Sequence, residues 1–131
     1  MQRFKDSEID KNILPLIKAM NGTGWIKTVS SCEGHLGAKH FQRPYVAFYC
    51  KASKMKTLCR ILNATSDAFD DDDDSVWLEL EIVWNGEIHG CQEETPRGWI
   101  ALNLTIETET AKKKKAFDLL SNGFKNNSGE A

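Results

Sequence analysis

The chain has 131 residues, 40% of them hydrophobic and 27% charged, a length and balance that suit one compact core and exclude a disordered chain. A formal net charge of -2 and a pI near 5.9 supply no global basic field, so any nucleic-acid partner has to be gripped locally. No apolar run approaches the roughly 20 residues that span a bilayer, and neither a lipidation signal nor a secretory leader is present, so a cytoplasmic protein is expected whose cysteines, Cys32, Cys50, Cys59 and Cys91, stay reduced.

In chain order, Ile9, Ile13, Leu16, Ile17 and Met20 recur at spacings of three and four, which marks one apolar face of a helix over Ser7 to Met20. Gly22 and Gly24 stop it. Pro15 removes a backbone donor and clashes with the preceding turn, so this helix either kinks there or starts late. Trp25 to Ser30 reads as a strand, and Pro44 to Cys50 as a second strand buried on both faces. Ser53 is a suitable N-cap for a second helix, with Met55, Leu58, Ile61 and Leu62 on its core face and an end near Asn63.

The five consecutive aspartates Asp70 to Asp74 repel one another and belong in solvent, as the connection between two halves. From Val76 to Trp84 strict alternation sets Val76, Leu78, Leu80, Ile82 and Trp84 on one face and Glu79 and Glu81 on the other. Asn85-Gly86 favours a tight turn. Trp99 to Glu107 alternates again, with Ile100, Leu102, Leu104 and Ile106 toward the core. Thr108 or Thr110 can cap a last helix through Leu120, ended by Gly123, with Lys112 to Lys115 on its wet face. The resulting order, α-β-β-α-β-β-α over a single domain of residues 1–131, predicts an α+β fold with an antiparallel or mixed sheet and helices on one side. A parallel doubly wound sheet fits less well, because the strand pairs lack an intervening helix.

The segment Ser30-Ser31-Cys32-Glu33-Gly34-His35, with Gly37 after it, puts hydroxyls, a thiol, a carboxylate, an imidazole and two glycines where a strand ends. Loops in that position often hold small molecules. Three chemistries fit. Cys32 and His35, joined by His89 and Cys91, offer a Cys₂His₂ set for zinc. Cys32 can instead serve as a nucleophile, activated by His35 or His89 with Glu33 as orienter. The third is recognition, with Ser30, Ser31 and the loop amides holding a polar ligand such as a carboxylate or phosphate. Lys27, Lys39, His40 and Arg43, interleaved with Phe41 and Tyr45, add a local basic and aromatic set for a phosphate backbone and an unpaired base.

The stretch Ile13 to Gly37 resembles the start of the methyltransferase family that acts in wybutosine synthesis on phenylalanine tRNA, where a helix, an Asn-containing break and a strand lead into Ser-Ser-Cys-Ser-Gly-Arg. The corresponding residues here are Ser30 to His35, with Glu33 and His35 in place of the family's Ser and Arg. The ending Gly123-Phe124-Lys125-Asn126-Asn127-Ser128-Gly129 is similar to the family's Gly-Phe-basic-Asn-Ser-Gly. The resemblance implies S-adenosylmethionine as methyl donor, a modified guanosine in tRNA as acceptor, and Ser30, Ser31 and Cys32 near the site.

Overall fold

The computed structural model describes residues 10–34, 43–69, 76–83, 95–108 and 110–127. Along them run α1 (Leu14–Asn21), β1 (Ile26–Cys32), β2 (Tyr45–Lys51), a 3₁₀ turn (Ala52–Lys54), α2 (Met55–Asp67), β3 (Val76–Ile82), β4 (Trp99–Thr108) and α3 (Thr110–Lys125). The order is the expected one with a 3₁₀ turn added. The fold is α+β.

All four strands join one antiparallel sheet in the order β1-β2-β4-β3. Strands adjacent in sequence form the outer pairs, and β2 meets β4 in unbroken register from Tyr45 opposite Thr105 to Lys51 opposite Trp99. This makes β2 and β4 central. Val46 to Cys50 are accordingly buried on both faces of the sheet.

The three helices cover one face. There Val46, Phe48, Leu102, Leu104 and Ile106 meet Leu16, Ile17 and Met20 of α1, Leu58 and Ile61 of α2, and Phe117, Leu120 and Phe124 of α3. Burying each such side chain stabilises the fold by roughly 1.5–3 kcal/mol. The opposite face keeps a small apolar cluster of Val29, Ala47, Tyr49 and Ala101.

Several boundaries differ from the sequence expectation, each for a local reason. α1 starts late, which places Pro15 in its first turn, where the missing N–H has no intrahelical acceptor to lose. Ser53 lies inside the 3₁₀ turn, so it does not cap α2; Lys54 holds the N-cap position and its side chain makes no capping hydrogen bond. α2 passes Asn63 and runs to Asp67, because Thr65 adds a buried residue to its inner face and satisfies its hydroxyl by donating to the Ile61 carbonyl at 2.9 Å. Gly123 does not end α3. A Cβ there would lie 2.7 Å from Ile61 Cγ2, so the glycine serves the close approach of α3 to α2. The helix runs five residues past Leu120 to Lys125, and beyond it Asn127 Nδ2 donates to the Gly123 carbonyl at 2.8 Å. The aspartate run, Trp84 and the Asn85-Gly86 turn lie outside the described residues.

Candidate functional site

β1 does not end at Ser30. Ser30, Ser31 and Cys32 are still paired, opposite Ala47, Val46 and Tyr45, and the register slips between Thr28 and Ser30. That bulge sets an extra residue against β2, bends the strand and reassigns the side chains beyond it. The two hydroxyls and the thiol therefore belong to a bulged edge strand, and not to a loop after a strand that ends at Ser30 as the sequence had suggested. Ser30 Oγ lies 3.2 Å from Tyr45 Oη. Upstream, Asn21 at the end of α1 fastens the strand: its Oδ1 accepts the Thr28 N–H at 2.9 Å and its Nδ2 donates to Thr28 Oγ1 at 2.8 Å.

Beyond Cys32 the chain meets the approach to α1 and the first turns of α3. Asp10 precedes α1, and its backbone carbonyl accepts the N–H groups of Ile13 and Leu14. Its side chain accepts the Glu33 N–H at 2.9 Å. The Glu33 carboxylate accepts from Asn12 Nδ2 and lies 3.8 Å from Lys113 Nζ, with both side chains of that ion pair largely covered. Gly34 then turns away at φ +89°, a left-handed conformation that glycine adopts without steric cost. Three elements distant in sequence thus converge on Glu33.

The Cys32 thiol is held above its ordinary pKa, first by burial and then by the neighbouring Asp10 and Glu33 carboxylates; the Gly34 N–H, 3.3 Å from Sγ, opposes them. Reactive cysteines have the opposite setting, with cations or a helix N-terminus that favours thiolate. The environment thus disfavours a Cys32 nucleophile. Its proposed activators His35 and His89, and Cys91 of the zinc set, lie outside the described residues. Among the described residues no group of three or more His, Cys, Asp or Glu side chains is arranged to hold a metal. Cys50 is fully buried and its thiol is pushed up to about 12 by that burial, with Cys59 adding to it, while Cys59 itself is exposed.

Of the basic set expected around this segment, the two described members, Lys27 and Arg43, lie apart. Lys27 pairs opposite Tyr49 and lies over the Trp99 ring at 4.7 Å, near the far end of β2. Arg43, just before β2, pairs with Glu107. Length along a strand separates them, whereas their sequence neighbourhood had grouped them. Lys39, His40, Phe41 and Gly37 lie outside the described residues. The lysine run of α3 is also not uniformly wet: Lys113 meets Glu33, Lys114 pairs with Asp118 at 2.8 Å, and Lys115 lies 4.9 Å from the Phe69 ring centre.

Sequence reading therefore found Ser30 to Gly34, named Tyr45 only as an aromatic for base stacking, and missed Asp10, Asn12 and Lys113. Asp10 carried a weak signal, as an acidic residue just ahead of a helix. Lys113 carried none, because only the antiparallel sheet brings α3 back beside the end of β1.

Two surface grooves lie elsewhere, one of about 430 Å³ between α2 and α3 beside Arg60, Asn122 and Asn126, and one of about 510 Å³ along α1 beside Lys11, Lys18 and Lys125. Neither includes Ser30 to Gly34. No helix of the described residues is long and apolar enough to cross a membrane. No family model matches the chain, and no curated protein or solved structure matches it either.

Proposed function

We propose that this chain is a small cytoplasmic domain similar to the tRNA-modifying methyltransferases, and that it binds a small polar ligand at the corner formed by Ser30 to Gly34. The observation that carries this reading is the convergence of β1, the approach to α1 and α3 on the partly buried Glu33, next to a buried glycine in the left-handed conformation. Cores do not require polar groups from three elements to meet at an edge, whereas ligand sites regularly do.

The charges choose among polar ligands. Asp10 and Glu33 set two carboxylates beside the backbone of Cys32 to Gly34, against one ammonium from Lys113. Carboxylates repel phosphate and attract ammonium and sulfonium groups and ribose hydroxyls. S-adenosylmethionine has a sulfonium, an ammonium and a ribose, so it is the first ligand to test, with a tRNA nucleotide as acceptor. When bound, it supplies the methyl group. In this reading the chain's own part is to orient: Glu33, held by Asn12 and Lys113, presents a fixed acceptor, and Ser30 and Ser31 offer hydroxyls.

Thermal melts test this directly. A ligand that binds only the folded chain at a hundred times its Kd stabilises it by about 2.7 kcal/mol, which is several degrees for a chain of this size. S-adenosylmethionine should raise the melting temperature and Glu33→Ala should remove the rise. No rise at millimolar ligand sinks the reading. Zinc, in a parallel melt, tests the metal alternative: a rise abolished by Cys32→Ser favours the Cys32, His35, His89 and Cys91 set.

A further inference from the structure

β3 is an edge strand with unusual properties. Its seven residues pair with β4 without a bulge, from Val76 opposite Thr108 to Ile82 opposite Leu102, and among the described residues no strand pairs with its other side. Ile82 is 70% exposed and Trp77 61%, although Ile82 belongs to the row that should face the core. Val76, Leu78 and Leu80 in that same row are only partly buried. α2 reaches β3 but does not cover the row to its end.

Edge strands are usually blunted by lysine, proline or a bulge. β1 at the opposite edge has Lys27 and a bulge. β3 has only Glu79 and Glu81, both exposed and both without an ion-pair partner among the described residues. The surrounding sequence amplifies that sign. Between Arg60 and Arg97 there is no lysine or arginine, yet eleven of the nineteen carboxylates fall there, so the rest of the chain is net basic.

These charges select the occupant. If two copies paired antiparallel through β3, registers centred on Glu79 or Leu80 would set glutamates directly opposite glutamates, which is destabilising. An added strand with lysine or arginine at alternate positions would instead meet Glu79 and Glu81, while its other face extended the apolar row past Leu80 and Ile82. The same carboxylates that resist self-pairing attract this partner.

We propose that the free edge of β3 is a docking site for an extended polypeptide segment of a partner protein that alternates apolar and basic residues. It adds to the sheet as a fifth strand, independently of any ligand at the Glu33 corner.

The test uses the full chain and a fluorescently labelled peptide, acetyl-Val-Lys-Val-Lys-Val-Lys-Val-amide, read by anisotropy. Saturable binding is expected, with amide shifts in nuclear magnetic resonance concentrated on β3, and Glu79→Lys with Glu81→Lys should weaken it at least about tenfold, the range of a lost charge pair at an interface. Both substitutions are on the surface, and a circular dichroism melt checks that the doubly substituted chain folds. Three outcomes overturn the proposal. One is equal binding of the Gly-Lys analogue, which means that the acidic segment attracts cations without seating a strand. Another is equal or tighter binding of the Val-Glu analogue, or no saturable binding. The third is a concentration-dependent dimer of the chain alone that the two lysine substitutions alter, which puts a second copy on this edge.

Discussion

The two edges of this sheet are built in opposite ways. β1 is bulged, lies beside α1, and ends where Asp10, Asn12 and Lys113 engage Glu33 and its backbone. β3 is regular, and its outer end leaves Ile82 in solvent. One edge is broken by a bulge and ends in polar contacts, whereas the other is regular along its described length. The contrast shows that an apolar residue in a regular alternating row is buried only where a second layer lies over it.

The largest expected effect tests burial at the two places. Phe48→Ala, beneath all three helices' side of the sheet, should cost about 3–5 kcal/mol in urea denaturation. Ile82→Ala should stay within about 0.5 kcal/mol, as exposed sites do. A cost at Ile82 approaching that at Phe48 would mean that the β3 edge is packed after all.

A pH series separates the central strand from both edges. Burial raises the Cys50 thiol from the ordinary 9.0 to about 12, so folding favours its protonated form. The stabilisation is complete below pH 9 and is lost as the pH rises from 9 toward 12. The melting temperature of the native chain should fall through that window more steeply than that of Cys50→Ala. Parallel curves would contradict the burial.

Smaller effects are expected at the β1 edge. Asn21→Ala removes both hydrogen bonds to Thr28 and should cost about 1–2 kcal/mol, read by denaturation. Glu33→Gln keeps the shape but weakens the Lys113 ion pair, for about 1 kcal/mol or less. If Glu33→Gln proved the costlier of the two, the corner would be a structural clamp, and the ligand reading would lose its main support.

Much of the fold was legible from periodicity. The rows Leu78-Leu80 and Ile100-Leu102-Leu104-Ile106 fell as alternation predicted, because a strand's side chains alternate whatever it packs against. The boundaries were less legible. Gly123 looked like a helix end by its residue type, yet its role comes from Ile61 on another helix. Ser53 looked like a cap, but the 3₁₀ turn moved the start of α2 past it. At the candidate site, Ser30 to Gly34 stood out by composition, while the bulge that places three of them in the strand left no mark in their order.

By itself, the sequence determined the α+β class, the order of elements, the polar character of Ser30 to Gly34, and an acidic stretch around β3. These follow from local pattern and composition, which each segment has in isolation. Only the tertiary structure decided that Lys113 would meet Glu33, that Lys27 and Arg43 would part, and that Ile82 would be left in solvent. Those outcomes depend on which elements the antiparallel sheet brings together, and contacts between distant segments exist only once the chain has folded.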